Sequence, residues 1–447
     1  MEKLRERIKD KECIIEVFGL GYVGFPLAVR LATNGFRVIG IDVNHQRVNR
    51  LEKNELLDSE ITLKDEFIKC RERNLTLSVE SSKNELQKVG IICVPTPIPS
   101  EKISSDIFVK KAVKSFLDNA KKGDCLILES SIEVGTTERM QKLIEEYGFK
   151  IGESLGISFC PERIDPSNKE WGIENIPRVI YCSDDATFEI SKEIYNHVNN
   201  GNLIRVEHPK IAEVVKSFEN AFRLVNISLV NELAILCDNL GISVKSIIDA
   251  ASTKPFGFMP HYPGAGAGGH CIPKDPRFLL ESAKKFQTNF ITIENALSIN
   301  TNMPKYIASS INDNIEKSKL EKSVLICGLS YKTNVEDMRD SASFKIINEL
   351  KIKGYQVYGY DPFFKDESIS KYLIENNLKE INFIRLEDMD DDSLRKISCI
   401  CVVQHHDLTK NKLIRIYKES KVPLIYDCQN KIEKIDDSNT ILKFLGA

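Results

Sequence analysis

The chain is poor in several things that would decide its class at once. It holds one tryptophan and seven histidines in 447 residues, and its twelve cysteines contain no Cys-x-x-Cys pair and no regular spacing. That pattern excludes a disulfide framework and a zinc ribbon, and no metal is expected. Cys13, Cys93, Cys125, Cys327, Cys399 and Cys401 sit in or beside β-branched apolar runs, where a thiol acts as a small hydrophobe. A reducing, cytoplasmic setting is the simplest reading. Charge of one sign is also missing: 62 Lys and Arg face 65 Asp and Glu, a net charge of −3. No global field then favours nucleic acid or an anionic membrane, and neither is expected as a partner. No apolar run reaches the roughly 18 residues that span a bilayer. The first ten residues, Met-Glu-Lys-Leu-Arg-Glu-Arg-Ile-Lys-Asp, lack the apolar centre of a signal peptide. Low-complexity tracts are absent. What remains is ordinary globular composition, long enough for two or three domains.

The first informative segment is Cys13-Ile-Ile-Glu-Val-Phe-Gly19-Leu-Gly21-Tyr22-Val23-Gly24. An apolar strand runs straight into G-x-G-x-x-G. Phe25 to Asn34 reads as a helix stopped by Gly35, and Phe36 to Asp42 reads as a second strand. In such a β-α-β unit the glycines permit a tight turn, backbone approach to a pyrophosphate and close helix–strand packing. The helix N-terminus offers its positive end to phosphate. Asp42 falls 18 positions after the third glycine, where it would accept the ribose hydroxyls and repel a 2′-phosphate, so NAD is expected rather than NADP. Further apolar runs end in Val94-Pro-Thr96-Pro, Glu129-Ser130-Ser131 and Cys160-Pro-Glu162-Arg163. Strand ends of this kind line the ligand crevice of a doubly wound sheet, although each hydroxyl there could equally be a local cap.

From Glu213 to Asn239 apolar residues recur at helical spacing with neither Gly nor Pro, which predicts a helix of about 30 residues connecting domains and offering a face for dimerisation. A second helix over Val244 to Ala251 precedes Pro263-Gly-Ala-Gly-Ala-Gly-Gly-His270-Cys271-Ile-Pro-Lys274-Asp275. Glycines let backbone approach a ligand, and a thiol at the lip of such a loop can be a nucleophile. Near Ser323 a second α/β unit begins with Gly328-Leu-Ser-Tyr331-Lys332, followed by Arg339, a helix from about Ser341 and a strand ending at Asp361. It echoes the first unit without the glycine triplet, and its cations suit a different phosphate-bearing ligand. His405-His406-Asp407 reads as a strand-end loop, and Asp388 to Asp392 as a solvated turn.

Taken in order, these motifs resemble the UDP-glucose/GDP-mannose dehydrogenase family, the nucleotide-sugar 6-dehydrogenases, from Ile14 to about Asn430. The resemblance implies an α/β protein: two Rossmann-like doubly wound parallel-sheet domains joined by a helical central domain with a long connecting helix. Its expected parts are an NAD-binding domain over 1–208, a central dimerisation domain with the cysteine loop over 209–308, and a UDP-sugar-binding domain over 309–447. It also implies a four-electron oxidation of a sugar C6 alcohol to a carboxylate, with two NAD reduced, and a homodimer. By similarity Cys271 is the nucleophile. Lys216 and Asn220, four apart on one helix face, stabilise the oxyanion. Asp275 holds a water, and Glu162 with Ser131, usually Thr in the family, activates the hydrolytic one. Cofactor contacts fall to Gly19, Gly21, Tyr22, Val23, Gly24, Asp42, Arg47, Thr96, Ser131 and Arg339. Substrate contacts fall to Glu162, Arg163, Lys216, Asn220, Arg223, Gly268, Tyr331 and Lys332. Lys274 stays open between substrate phosphate and surface packing, and His270 is expected to point away from the thiol.

Two departures stand out. Where the family often has Asp-x-Arg-Asn, this chain has Asp427-Cys-Gln429-Asn430, and Glu133-Val134 precedes Gly135 where Pro is common. The segments Cys160 to Ser167 and Lys254 to Gly266 look most like dehydrogenases of UDP-N-acetylhexosamines. UDP-N-acetylglucosamine is the first expectation, UDP-N-acetylmannosamine the runner-up and UDP-glucose third. A thiol-independent hydroxy-acid dehydrogenase and an inactive nucleotide-sugar-binding protein are the rival classes.

Overall fold

The computed structural model describes residues 2–83, 86–98, 105–164, 168, 170–269, 271–376, 378, 382–383, 396–409, 422–432 and 440–447. His270, residues 165–167 and residues 388–392 lie outside them. The chain forms two compact units, one of residues 1–219 with 277–289, the other of residues 220–276 with 290–447.

The first unit is built on an eight-stranded sheet. Its strands are β1 (Ile14–Phe18), β2 (Arg37–Ile41), β3 (Leu75–Ser78), β4 (Lys88–Ile92), β5 (Asp124–Leu128), β6 (Leu155–Phe159), β7 (Arg178–Cys182) and β8 (Leu203–Val206). Their order is β3-β2-β1-β4-β5-β6-β7-β8, parallel throughout except for the β6–β7 pair. Every residue of β1, β4, β5 and β6 is buried, which is why these segments read as continuous apolar runs: helices cover both faces. The order reverses between β1 and β4, the place where such sheets open a crevice beyond the strand ends.

Two buried ion pairs interrupt this apolar core. Glu16 on β1 accepts from Lys88 Nζ on β4 at 2.9 Å, and Ser81 Oγ joins both. Lys88 Nζ also lies 4.8 Å from the centre of the Phe116 ring. At the other end of the sheet, Arg178 Nη1 donates to Glu129 at 2.9 Å, and Tyr195 OH donates to the same oxygen. Burial works against the Arg178 charge, but Glu129, with smaller help from Tyr195, Cys160 and Glu162, holds it firmly protonated.

The second unit carries a six-stranded, all-parallel sheet: β9 (Ser323–Cys327), β10 (Gln356–Tyr360), β11 (Asn382–Phe383), β12 (Cys399–Val402), β13 (Leu424–Asp427) and β14 (Ile441–Phe444). Their order is β11-β10-β9-β12-β13-β14. The helices Ile291–Lys317 and Ala342–Ile352 pack together over it. The echo seen in the sequence is geometric. Gly19 and Gly328 follow the first strand of their sheets at φ +89° and +91°. Each amide donates to the end of the second strand, Gly19 to Ile41 O at 2.7 Å and Gly328 to Tyr360 O at 2.8 Å. Asp42 then accepts from Leu20 N at 2.9 Å, as Asp361 accepts from Leu329 N at 2.7 Å.

The long helix is Pro209–Leu240, 32 residues, and it runs from the first unit into the second. Its length and an 18-residue window of mean hydropathy 1.2, 44% buried, would by composition alone pass for a membrane span, yet the helix also carries polar residues. Those polar groups are engaged within the protein: Ser228 Oγ donates to Ala296 O at 2.8 Å, and Asn231 accepts from Gly264 N at 2.9 Å.

Because Lys88 is the cation facing Glu16, Lys88→Met strands a carboxylate in the core. We expect the first unit to lose about 3–5 kcal/mol in urea unfolding. The double variant with Glu16→Gln should recover part of it, and an unchanged midpoint for Lys88→Met would contradict the pairing.

Candidate active site

In the first unit the glycine turn divides its labour. A Cβ on Gly19 would lie 2.6 Å from Cys93 O, and one on Gly24 would lie 1.9 Å from Gly19 O, so both close the turn against backbone. A Cβ on Gly21 meets nothing within 4 Å, so that residue faces open space. The helix Gly24–Thr33 begins at Val23 without a side-chain cap. Two features that a pyrophosphate needs are here: room at Gly21 and the positive end of a helix dipole. The residues therefore fit a dinucleotide. Tyr22 is exposed beside the turn, and Thr96, beyond β4, is buried. Asp42 is half-buried, with Oδ2 on Leu20 N and Oδ1 accepting from Asn44 N at 2.9 Å. Arg47 donates Nε to Leu20 O at 3.0 Å, pairs with Glu60, and lies 5.2 Å above the Phe25 ring.

The ends of β5 and β6 sort by role. Ser130 ties the ends of β5 and β4 together through Val94 O at 2.8 Å, and Glu129 is the buried partner of Arg178, so both serve the fold. Ser131 and Glu162 stay half-buried at the strand ends, and the Glu162 carboxylate accepts from Ile164 N. Arg163 is committed to Glu219 and to Pro177 O at 2.9 Å. Lys216 is buried on the long helix. One turn earlier Glu213 caps the helix Thr136–Glu146 by accepting from Gly135 N at 2.6 Å and Thr137 N at 2.8 Å. Burial pushes the Glu213 carboxyl up, against the pull of those amides. Glu133 is buried, meets Ser105 Oγ at 2.8 Å and pairs with the exposed Lys285 beside a cavity of about 490 Å³, at the position where proline is common in the family.

In the second unit the glycine loop is clamped by two asparagine side chains. Asn300 accepts from Ala267 N at 2.6 Å and donates to Ala267 O at 2.9 Å, which copies one rung of a β-ladder. Asn231 holds Gly264 N. Gly268 passes so close to Asp340 O that a Cβ would lie 2.6 Å from it, and Gly269 N donates to Arg339 O at 3.0 Å. The loop delivers Cys271, the exposed cysteine among the twelve, none of which is in a disulfide. Cys271 O accepts from Asp275 N at 2.8 Å, which starts the helix Asp275–Lys285. Asp275 is fully buried: Oδ2 accepts from Asn220 Nδ2 at 2.8 Å, while Oδ1 has no hydrogen bond and lies 3.7 Å from Lys274 Nζ. The structure thus brings together Cys271, Asp275, Lys274 and Asn220.

Arg223 and Arg339 are exposed, and Arg339 forks onto Asp337 at 2.7 Å. Tyr331 and Lys332 are half-buried after β9. Gln429 donates to Gln404 at 2.8 Å, and Gln404 donates to Tyr331 O at 3.1 Å, so an amide chain occupies the strand ends where the family often has an Arg. His405 pairs with Asp427 at 2.8 Å and His406 with Asp361 at 3.1 Å. Burial alone would raise both carboxyls, but the histidines and backbone amides hold them below the usual range. Sequence reasoning missed Asn231, Asn300, Glu60 and Glu213. A polar residue breaking an apolar helical face was the available signal for the two asparagines.

Residues 13–199, 210–302 and 325–434 match, in turn, the NAD binding, central and UDP binding domains of the UDP-glucose/GDP-mannose dehydrogenase family. The chain is 32% identical over 442 residues to a UDP-N-acetyl-D-mannosamine dehydrogenase of Methanococcus maripaludis, covering 97% of this chain and 96% of the relative. It is 33% identical over 364 residues to a UDP-N-acetyl-D-glucosamine 6-dehydrogenase of Pseudomonas aeruginosa, covering 80% and 84%. Among solved structures it resembles the UDP-D-ManNAc dehydrogenase of Pyrococcus horikoshii, with TM-score 0.82, 27% identity and coverage of 97% and 99%. The UDP-N-acetyl-mannosamine dehydrogenase Cap5O of Staphylococcus aureus follows at TM-score 0.81 and 29% identity, with coverage of 97% and 98%.

Asn300→Ala frees both polar groups of Ala267 and loosens the approach to Cys271. We expect turnover to fall on the order of a hundredfold, with a smaller change in KM. The alkylation rate of Cys271 by iodoacetamide should change in parallel. A variant that keeps both its turnover and its alkylation rate would show that the clamp does not set the position of the thiol.

Proposed function

We propose, from the premise that the chain belongs to the UDP-glucose/GDP-mannose dehydrogenase family and is an NAD-dependent nucleotide-sugar dehydrogenase, that it oxidises the C6 alcohol of a UDP-N-acetylhexosamine to the uronate through Cys271. The observation that carries this reading is an exposed thiol on a rigid glycine loop whose own carbonyl anchors Asp275, a buried carboxylate with one oxygen lacking a hydrogen bond.

NAD+ supplies the electron sink, taking one hydride in each of two oxidations. The chain's residues handle the rest. Lys216 and Asn220 stabilise negative charge on the C6 oxygen as its proton leaves. The Cys271 sulfur adds to the resulting aldehyde carbonyl, forming a C–S bond, and the oxygen takes up a proton to give a thiohemiacetal. Loss of the remaining C6 hydride and of that proton leaves a thioester. Water, oriented by Glu162 and Ser131, adds to its carbonyl and expels the thiolate. The sum is one alcohol, two NAD+ and one water giving one carboxylate, two NADH and three protons. Asp275 holds a water by its free oxygen and relays protons near Cys271.

The domain division follows the same reading: cofactor over 1–208, cysteine loop and dimer contacts over 209–308, UDP-sugar over 309–447. Phe222, Leu229, Leu236 and Leu240 stand exposed along the long helix, which supports a homodimer formed through it. Cysteines held in no disulfide and an NAD reaction support a cytoplasmic setting. UDP-N-acetylglucosamine and UDP-N-acetylmannosamine differ only at C2. The full-length likeness to enzymes named for the mannosamine weighs toward that epimer, and the acetamido group is common to both.

A panel of UDP-sugars followed by NADH absorbance should give two NADH per sugar with an N-acetylhexosamine and far less with UDP-glucose. Cys271→Ser should abolish turnover. One NADH per sugar, or full activity in that variant, would overturn the thiol mechanism.

A further inference from the structure

Arg47 and Asp42 grip the same residue of the glycine turn from its two sides. Asp42 takes Leu20 N at 2.9 Å, and Arg47 Nε gives to Leu20 O at 3.0 Å. The guanidinium and the carboxylate read above as the ribose acceptor thus bracket a single residue, Leu20. The guanidinium is not free to act there as a bare cation. Glu60, 5% exposed, pairs with Arg47 Nη2 and is itself fixed by Leu57 N at 3.0 Å. The Phe25 ring closes the other side. Arg47 Nη1 is buried without a hydrogen-bond partner.

We propose that Glu60 is a cofactor-specificity residue that acts through Arg47: by neutralising the guanidinium that shares Leu20 with Asp42, it denies a 2′-phosphate the cation that would receive it. Asp42, Arg47 and Glu60 together carry one net negative charge. That charge repels a phosphate dianion and tolerates a pair of hydroxyls. Arg is the side chain best shaped for forked phosphate contacts. Replacing Glu60 by the isosteric Gln keeps an acceptor for Leu57 N, removes the charge and leaves Arg47 cationic. The inference rests on the placement of the ribose at Asp42.

The test is calorimetric titration of the whole protein with NAD+ and with NADP+, which needs no turnover. In Glu60→Gln the ratio of the NADP+ to the NAD+ dissociation constant should fall about tenfold or more. Adding Arg47→Met should cancel that fall. An unmoved ratio in Glu60→Gln, or a fall that survives loss of Arg47, overturns the inference. If Glu60→Gln does not fold, Arg47→Met alone decides: unmasking Glu60 should raise the ratio, and an unmoved ratio overturns the inference. Asp42→Ala separates the two claims. If it lowers the ratio while Glu60→Gln does not, only the role of Glu60 falls. If it too leaves the ratio unmoved, the ribose placement fails first.

Discussion

Each sheet depends on one small arrangement: a glycine at positive φ after the first strand, and a carboxylate at the end of the second that accepts the amide of the following leucine. A parallel sheet must turn its chain sharply at this point. The turn leaves amide donors that no strand can satisfy. Asp42 and Asp361 satisfy them, and so fix the shape of the rim that any ligand meets. The two rims then diverge by composition. At the first, Gly21 leaves open space above the turn. At the second, Ser330 fills the corresponding position, with its hydroxyl on Asp361 at 2.8 Å and its oxygen beside His406. One scaffold thus yields a rim with open space above its backbone turn and another stiffened by side-chain hydrogen bonds.

The cysteine loop solves a different problem. Glycine runs are flexible in the unfolded chain, and a nucleophile on a floppy loop gains little from proximity. Here the freedom is removed by contacts that only glycine allows. The backbone at Gly268 passes Asp340 at a distance that excludes a Cβ, and Asn300 replaces the missing ladder partner of Ala267. The glycines therefore serve close packing as much as close approach to ligand.

Much of this was legible in the residues. Continuous β-branched runs predicted the central strands of both sheets but not β3, β7, β8, β11 or β14, and the spacing from Gly24 to Asp42 predicted the first β-α-β unit. The helix over Glu213 to Asn239 extends four residues further at its start, to Pro209, because proline suits a first turn. What the residues hid is pairing across distance. Glu129 looked like a crevice residue because it ends a strand, yet Arg178, 49 positions away, claims it. Arg163 reads as a free cation until Glu219 is seen to hold it. Asn231 and Asn300 break the apolar faces of their helices, but nothing local names their partners, which lie 33 residues away in each case. Local pattern encodes which face is buried, but it does not encode which polar group a distant one will meet.

That blind spot bears most on charge. A lone Arg near a dinucleotide fingerprint invites a phosphate contact, and sequence alone counts it as a net positive charge. Once Glu60 is paired with it, the same residue contributes a rigid, neutral edge with one donor to spare. Surface pairs of this kind do little for stability because water screens them. This pair is nearly buried, at 12% and 6% side-chain exposure, so its field is poorly screened and its removal would be felt by whatever binds alongside. The electrostatic character of the cofactor rim is therefore set by a residue on a separate segment, 18 positions beyond Asp42, outside the fingerprint by which such sites are recognised.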